Sequence, residues 1–565
     1  MLRTEQQVLW QRRLDEFLDV GDRENLITLI GIDDEDCKAL LEGLKSKKGI
    51  TSLDITGRNQ IGDEGCKALG GLLNSSQELK HIRLSSVRIG DEGSKNLAEG
   101  LKSSNSLKSM ELSGCAATGV EGWKALAESL AINRVLTSIK VKGCDFGNGG
   151  FAAVAASLAA NCALTSIDFA GCETAGAEGW KALAESLTIN CVLTSIGLSG
   201  CDFGIDGFEA VAASLATNCT LTSINFSYCK GTYSTGWRAL ADSLQVNRVL
   251  TSMDLSDCDF NDDMGFAAVA ANLATNRCLT SIDFSRCAET GVEGWKALAE
   301  SLTINCVLTS IDLSESRFGN GDFAAVAASL AANRALTSID IGGCEETSVE
   351  SWRALAASLQ VNRVLKSVDL SCCSYGNGGF GAVAASLASN CTLTSINLRC
   401  CEESSVEGWK ALAESLKLDR VLKSLDLSCC NFGYEGVWKI LAASLATNGA
   451  LTSINFSDCR EACVEGWKAL AESLKVNCTL TSMNLSGAEA GDEGCKALAE
   501  GLKGNQTLTS LSLRSIGALD VGLEALAKAL QCNGSIKELD ICGKHHRLQS
   551  ECLLSQMPGI TLLLF

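Results

Sequence analysis

Cysteine offers this chain the most chemistry, and its positions are regular. There are 29 cysteines against three histidines and one proline. Twelve close a recurring segment of the form Leu-Thr-Ser-Ile-Asp-Leu-Ser-x-Cys: Cys115, Cys144, Cys172, Cys201, Cys229, Cys258, Cys287, Cys344, Cys373, Cys401, Cys430 and Cys459. Six more, Cys162, Cys191, Cys219, Cys306, Cys391 and Cys478, follow an Asn just ahead of that segment. Small, partly apolar thiols at fixed places suit core packing, so both groups are expected to be buried. Three consecutive copies carry a second thiol, with Cys372 beside Cys373, Cys400 beside Cys401 and Cys429 beside Cys430. If neighbouring copies sit about 5 Å apart, as adjacent strands do, Cys372, Cys400 and Cys429 come within disulfide reach. That row is the candidate redox or thiophilic-metal patch, and repeat duplication copying harmless thiols is the competing reading. The odd total and the repeat-bound positions argue against a secreted disulfide framework and for reduced thiols in the cytosol.

Other apparent motifs dissolve into the repeat. Gly147-Asn-Gly149-Gly150 resembles a phosphate-cradling loop, but it returns at Gly376-Asn-Gly378-Gly379 and, altered, at Gly319-Asn-Gly321-Asp322. A tight turn that lets neighbouring units approach explains all three. Gly62-Asp-Glu-Gly, Gly90-Asp-Glu-Gly and Gly491-Asp-Glu-Gly place acidic residues where they are expected to cap a helix start. Asp257-Cys-Asp259-Phe-Asn261 begins like a calcium loop, yet Asp262 stands where Gly is required and Ala268 where Glu is required. Imidazole catalysis and zinc have only His81, His545 and His546 to draw on. No catalytic set and no metal site emerges, and the expectation is a non-enzyme without a cofactor.

A carboxylate and amide stripe remains: Asp168, Gly197, Asn225, Asp254, Asp283, Asp312, Asp340, Asp369, Asn397, Asp426, Asn455 and Asn484 share one place in successive copies. Like charges so close are unfavourable unless a cation or a basic partner relieves them; a solvated face copied by duplication is the alternative. Copies differ most in the centre. There Tyr228, Lys230, Tyr233, Asp257, Asp259, Arg286, Glu315 and Arg317 break the Gly-Cys uniformity and, with Asp254, Asp283 and Asp312, form the candidate partner site. A formal charge of −19 disfavours nucleic acid and anionic membranes and favours a basic protein partner.

The elements that position these residues follow from the period. The leading Leu or Ile of the segment steps by 28 or 29 residues through 18 copies from Ile50 to Ile536, with degenerate copies at Leu26 and Ile560. Leu136, Ile139, Val141 and Cys144 have the spacing of a strand with one buried face. Trp123, Leu126, Ala127 and Leu130 form one stripe of a helix. Strand, turn, helix, turn is one coil, so the sheet is parallel with the helices on one side. Strands pack about 4.8 Å apart and helices about 8 to 10 Å, which bends such a stack with the strands inside. The predicted fold is an α/β horseshoe solenoid with a concave parallel sheet and convex helices, of 18 to 20 repeats. Coils alternate between a Trp-bearing helix (Trp123, Trp180, Trp237, Trp295, Trp352, Trp409, Trp467) and a Phe-bearing one (Phe151, Phe208, Phe266, Phe323, Phe380), with Trp438 replacing Phe in the last. Residues 26–543 form the array, 1–25 an N-terminal capping helix and 544–565 a C-terminal cap that ITLLLF would extend with a last strand. The start lacks the apolar core of a signal peptide, and no apolar run has the length of a membrane span. A cytoplasmic monomer is expected. Sequons such as Asn225-Phe-Ser agree, since a glycan on Asn225 would obstruct the sheet face.

The alternating 28 and 29 residue units, with LxxLxLxxC strands and Asn133, Asn161 and Asn190 three residues before the leading leucine, resemble the ribonuclease-inhibitor subtype of leucine-rich repeats. LKSSNSLKSMELS and KALAEGLKGNQTLTSLSL are also similar to the repeat arrays of NOD-like receptors, although the G-x-x-x-x-G-K-[ST] of their nucleotide-binding domain does not occur. The resemblance implies a scaffold, inhibitor or sensor that binds a protein on its concave face. Ran GTPase-activating proteins share the subtype and supply the alternative, a regulator of an enzyme; no catalytic residue of theirs matches a position in this chain.

Overall fold

The computed structural model describes residues 25–46, 49–57, 59–115, 118–260, 263–287, 290–319, 321–344, 347–401, 405–432, 436–459, 463–541 and 561–562. The capping helix expected over 1–25, His545, His546 and all of 544–565 except Thr561 and Leu562 lie outside them. Two compact units divide the chain, one of residues 1–283 with 287–290 and one of 284–286 with 291–565. Both are α/β leucine-rich repeat solenoids in which strand and helix alternate.

In the first unit the strands from Leu26–Ile30 to Ser281–Asp283 pair in parallel, each with the next. In the second, those from Ser310–Asp312 to Glu538–Asp540 do the same, and Thr561–Leu562 pairs with the last of them. Register is set by burial of the apolar middle residue. Ile311 aligns with Ile339, and a slip of one place would turn it to solvent and bring Ser or Asp inside. Several strands end where an Asp or Asn turns the backbone, as Asp312 does by accepting the Ser314 N–H at 2.9 Å.

Aromatic rings alternate through the core as the coils alternate. Trp123 meets Phe146 with centroids 4.3 Å apart, Phe151 meets Trp180 at 4.7 Å, and Trp180 meets Phe203 at 4.3 Å. In most coils a glycine lets the ring approach the next helix: a Cβ on Gly207 would lie 2.6 Å from Trp180 Cδ1. This is why Gly150 recurs before Phe151 and Gly179 before Trp180. Gly147, at φ 57°, makes the tight turn expected of that loop.

Buried asparagines lock coil to coil. Asn190 Oδ1 accepts the N–H groups of Val192 and Leu193 at 2.9 and 2.7 Å, and its Nδ2 donates to Leu158 O in the preceding coil at 2.7 Å. The acidic residues at helix starts act between coils too, which corrects the expectation of capping within one helix. Asp63 accepts from Gly93 at 2.8 Å and Asp91 from Gly122 at 2.9 Å, while Gly62 and Gly90, the residues preceding their own helices, make no side-chain cap.

Candidate partner surface and thiol row

One place in the coil organises the candidate residues. Three positions beyond each carboxylate or amide of the stripe, the backbone adopts a left-handed φ: 61° at Tyr228, 54° at Asp257, 57° at Arg286, 54° at Glu315, and 56°, 58° and 57° at Cys372, Cys400 and Cys429. Gly200 at φ 67° and Gly343 at 68° occupy it elsewhere. A residue with a Cβ is disfavoured there by roughly 1 to 2 kcal/mol. The departures from Gly that stand out in the sequence are therefore strained sites whose side chains project from the strand exit.

The candidate partner residues fall in both units. In the first, Tyr228 and Tyr233 are 61% and 49% exposed, and Lys230 pairs with Glu173 at 3.7 Å. Asp254 aligns with Asp283; it accepts from Asn225 Nδ2 at 2.6 Å and from the Ser256 hydroxyl at 2.6 Å. Asp257 holds the left-handed place after Asp254, and the Asp259 carbonyl accepts from Thr232 Oγ1 at 3.2 Å.

In the second unit, Arg286 and Glu315 are joined by two parallel hydrogen bonds of 2.9 and 3.0 Å. The hydrogen bonding from Arg286, with a lesser contribution from its charge, holds the Glu315 carboxyl below its ordinary 4.5 against the opposing effect of burial. Asp312, Asp340 and Asp369 lie side by side in register. Next to them a recess of about 570 Å³ opens between Glu315 and Arg317 on one side and Ser371 and Cys372 on the other. Its cause is local: Gly342 and Gly343 stand where flanking coils carry Ser314 with Glu315 and Ser371 with Cys372. A Cβ on Gly342 would lie 2.8 Å from Ser371 Oγ and one on Gly343 2.8 Å from Glu315 Cγ. Asp340, a member of the carboxylate stripe outside the candidate partner site, lines the recess, and Gly342 in place of Ser is the sequence signal that marks it.

The stripe is not uniformly short of counter-groups. Asn397 Nδ2 donates to Asp369 Oδ2 at 2.7 Å and Asn455 Nδ2 to Asp426 Oδ2 at 2.9 Å, so amides interleave with carboxylates. At Asp312, Asp340 and Asp369, by contrast, carboxylate follows carboxylate along the ladder, and each accepts an N–H two residues on, from Ser314, Gly342 and Ser371 at 2.9, 2.8 and 2.9 Å.

The thiols divide by exposure. All twelve that close the strand segment are buried, and several donate to the preceding coil, as Cys258 does to Phe226 O at 3.2 Å. Ser316, in the same place, donates to Phe284 O at 3.0 Å, so this place calls for a small donor. Burial pushes Cys258 and Cys373 up to about 12. The six thiols after the asparagines are exposed, contrary to expectation. There the Asn side chain fills the interior, and the next residue projects from the turn. Of the second thiols, Cys372 is exposed and Cys400 and Cys429 are half-buried.

Among the described residues no group of three or more His, Cys, Asp or Glu side chains is arranged to hold a metal, and no helix is long and apolar enough to cross a membrane. The leucine-rich repeat signature matches residues 50–70, 419–441 and 476–499, so the chain carries leucine-rich repeats. No curated protein matches. Among solved structures, the crystal structure of a TLR13-ssRNA13 complex is similar at 16% identity and a TM-score of 0.49, over 90% of this chain and 72% of that one.

Proposed function

We propose that this chain is a non-catalytic binding solenoid of the ribonuclease-inhibitor-like subtype whose second unit holds a basic segment of a protein partner across Asp312, Asp340 and the adjoining recess. The observation that carries this reading is the in-register pair of Asp312 and Asp340 beside an opening rimmed by Glu315 and Arg317. Two carboxylates at strand spacing repel by roughly 1 kcal/mol in water and by more where the protein excludes it, and a lysine or arginine laid across them reverses the sign. The recess is lined mainly by Ser, Asp, Glu, Arg and Gly, which suits a charged side chain better than an apolar small molecule. Strained side chains at Arg286 and Glu315 are further support, because strain tends to persist where it serves a contact. In the first unit a contact of the same kind is assigned to Tyr228, Lys230, Tyr233, Asp254, Asp257, Asp259 and Asp283, where two exposed tyrosines supply the anchors. The cytoplasm suits a chain with exposed thiols such as Cys162 and Cys191.

The test is quantitative affinity purification from cell extract with the full chain and with Asp312→Lys/Asp340→Lys. Basic proteins held by the parent should be lost from this variant and kept by Glu121→Lys/Glu128→Lys, which reverses charge on a helix. Retention of every bound protein by Asp312→Lys/Asp340→Lys would overturn the assignment.

A further inference from the structure

We propose that Cys400 and Cys429 are an oxidisable pair that hydrogen peroxide converts into an inter-coil disulfide, leaving Cys372 as the remaining thiol at the edge of the recess. The inference is independent of any partner and starts from the sheet ladder. Asp369, Asn397 and Asp426 are aligned in adjacent parallel strands, and the three thiols lie three residues beyond them. The ladder continues through the thiols themselves. Cys372 N–H donates to Arg399 O at 2.8 Å, Cys400 to Ser428 O at 2.9 Å, and Cys429 to Ser457 O at 2.8 Å. Backbones bonded in this way sit about 4.8 Å apart, inside the Cα separation a disulfide spans. All three residues share the left-handed φ, so their Cβ atoms leave the backbone in the same direction.

Arg399 distinguishes one pair from the other. Its guanidinium interacts with Cys400 and Cys429, and Cys400 also faces Cys372. Burial raises both half-buried thiols above the ordinary value, while Arg399 acts in the opposite direction on each. Asp458, next in the row after Cys429, raises Cys429 further. At Cys400 burial is the largest influence and opposes ionisation, as does Cys372, while the hydrogen bond with Arg399 favours the thiolate, the nucleophilic form.

The Cys400 thiolate attacks one oxygen of hydrogen peroxide; an S–O bond forms, the O–O bond breaks, and the departing hydroxide takes up a proton to become water. Sulfur has lost two electrons and peroxide has gained them. Cys429 sulfur then attacks Cys400 sulfur; the S–S bond forms, the S–O bond breaks, and the hydroxyl leaves as water with the Cys429 proton. Two thiols and one peroxide thus give one disulfide and two waters. Because the row holds three thiols, one is left over, and Cys372 is the most exposed of them.

The experiment treats the reduced full chain with equimolar hydrogen peroxide, blocks residual thiols by alkylation, and sequences the linked peptides by tandem mass spectrometry. A Cys400 to Cys429 link is expected. It should be absent from Cys400→Ser and Cys429→Ser, present in Cys372→Ser, and formed about threefold more slowly in Arg399→Leu, the effect of losing one exposed charge contact. Circular dichroism of each variant confirms the fold. A link from Cys400 to Cys372 or to Cys401, a Cys401 to Cys430 link in its place, an unchanged rate in Arg399→Leu, or oxidation confined to thiols such as Cys162 would overturn the proposal.

Discussion

Arg286 and Glu315 sit at the same place in successive coils, both at left-handed φ, and meet through two parallel hydrogen bonds of 2.9 and 3.0 Å. Their side chains are 56% and 54% exposed, so the pair adds little to stability. Its consequence is geometric: it fixes the orientation of Glu315, which lines the recess.

Titration of Glu315 tests this contact. Arg286 lowers its folded-state pKa, so the associated stability is present above the unfolded value and is lost as pH falls through the folded one. NMR should give a Glu315 midpoint below 4.5 in the parent and a rise to 4.5 or above in Arg286→Ala, where only burial remains to act on it. Equal midpoints in the two proteins would show that the pair does not persist in solution.

Replacement of Glu315 by Gly should relieve the left-handed backbone. The expected gain is about 0.5 to 1 kcal/mol in urea unfolding, the strain released less the extra freedom of an unfolded glycine. A loss of stability instead would mean that Glu315 is not strained where it stands.

Asp419 replaces an asparagine of the buried ladder and is 4% exposed. It accepts from Val421 and Leu422 at 2.8 Å each. In the coils on either side, Asn390 and Asn448 also donate to Leu359 O and Leu416 O, a bond a carboxylate cannot make. Asp419→Asn should supply the donor and add about 1 kcal/mol. The denaturation midpoint of the variant measures it, and no increase would count against the ladder as a stabilising device.

Gly100 packs against the backbone of Gly70 in the adjacent helix, where a Cβ would meet the Gly70 carbonyl. Gly100→Ala should lower stability by about 1 to 3 kcal/mol, as overpacking does. Gly534→Ala, which meets nothing within 4 Å, should be nearly neutral in the same thermal unfolding experiment.

Alkylation of the native protein at neutral pH should label Cys162, Cys191, Cys219, Cys306, Cys391 and Cys478 and spare the twelve buried strand-exit thiols until the chain unfolds. Peptide mapping before and after denaturant reads the difference. Native labelling of Cys258 or Cys373 at the rate of Cys162 would contradict their burial.

By itself the sequence determined the coil. Alternation at Leu136, Ile139 and Val141 and the stripe at Trp123, Leu126 and Leu130 are local patterns that burial must satisfy in every copy, and repetition made them legible. It also exposed Gly147-Asn-Gly149-Gly150 as a turn, because one phosphate site has no need of several copies. Tertiary structure decided what depends on the neighbouring coil. That Asp63 serves Gly93, that Asn397 answers the charge of Asp369, and that Cys162 faces outward where Cys144 is buried all follow from groups about one repeat apart in sequence meeting across a gap of one strand or one helix. The left-handed place shared by Tyr228, Glu315 and Cys400 belongs to the same class. Residue type marked these positions as departures, but only the backbone, bent by the ladder on one side and the turn on the other, shows that each carries a side chain where glycine is at ease.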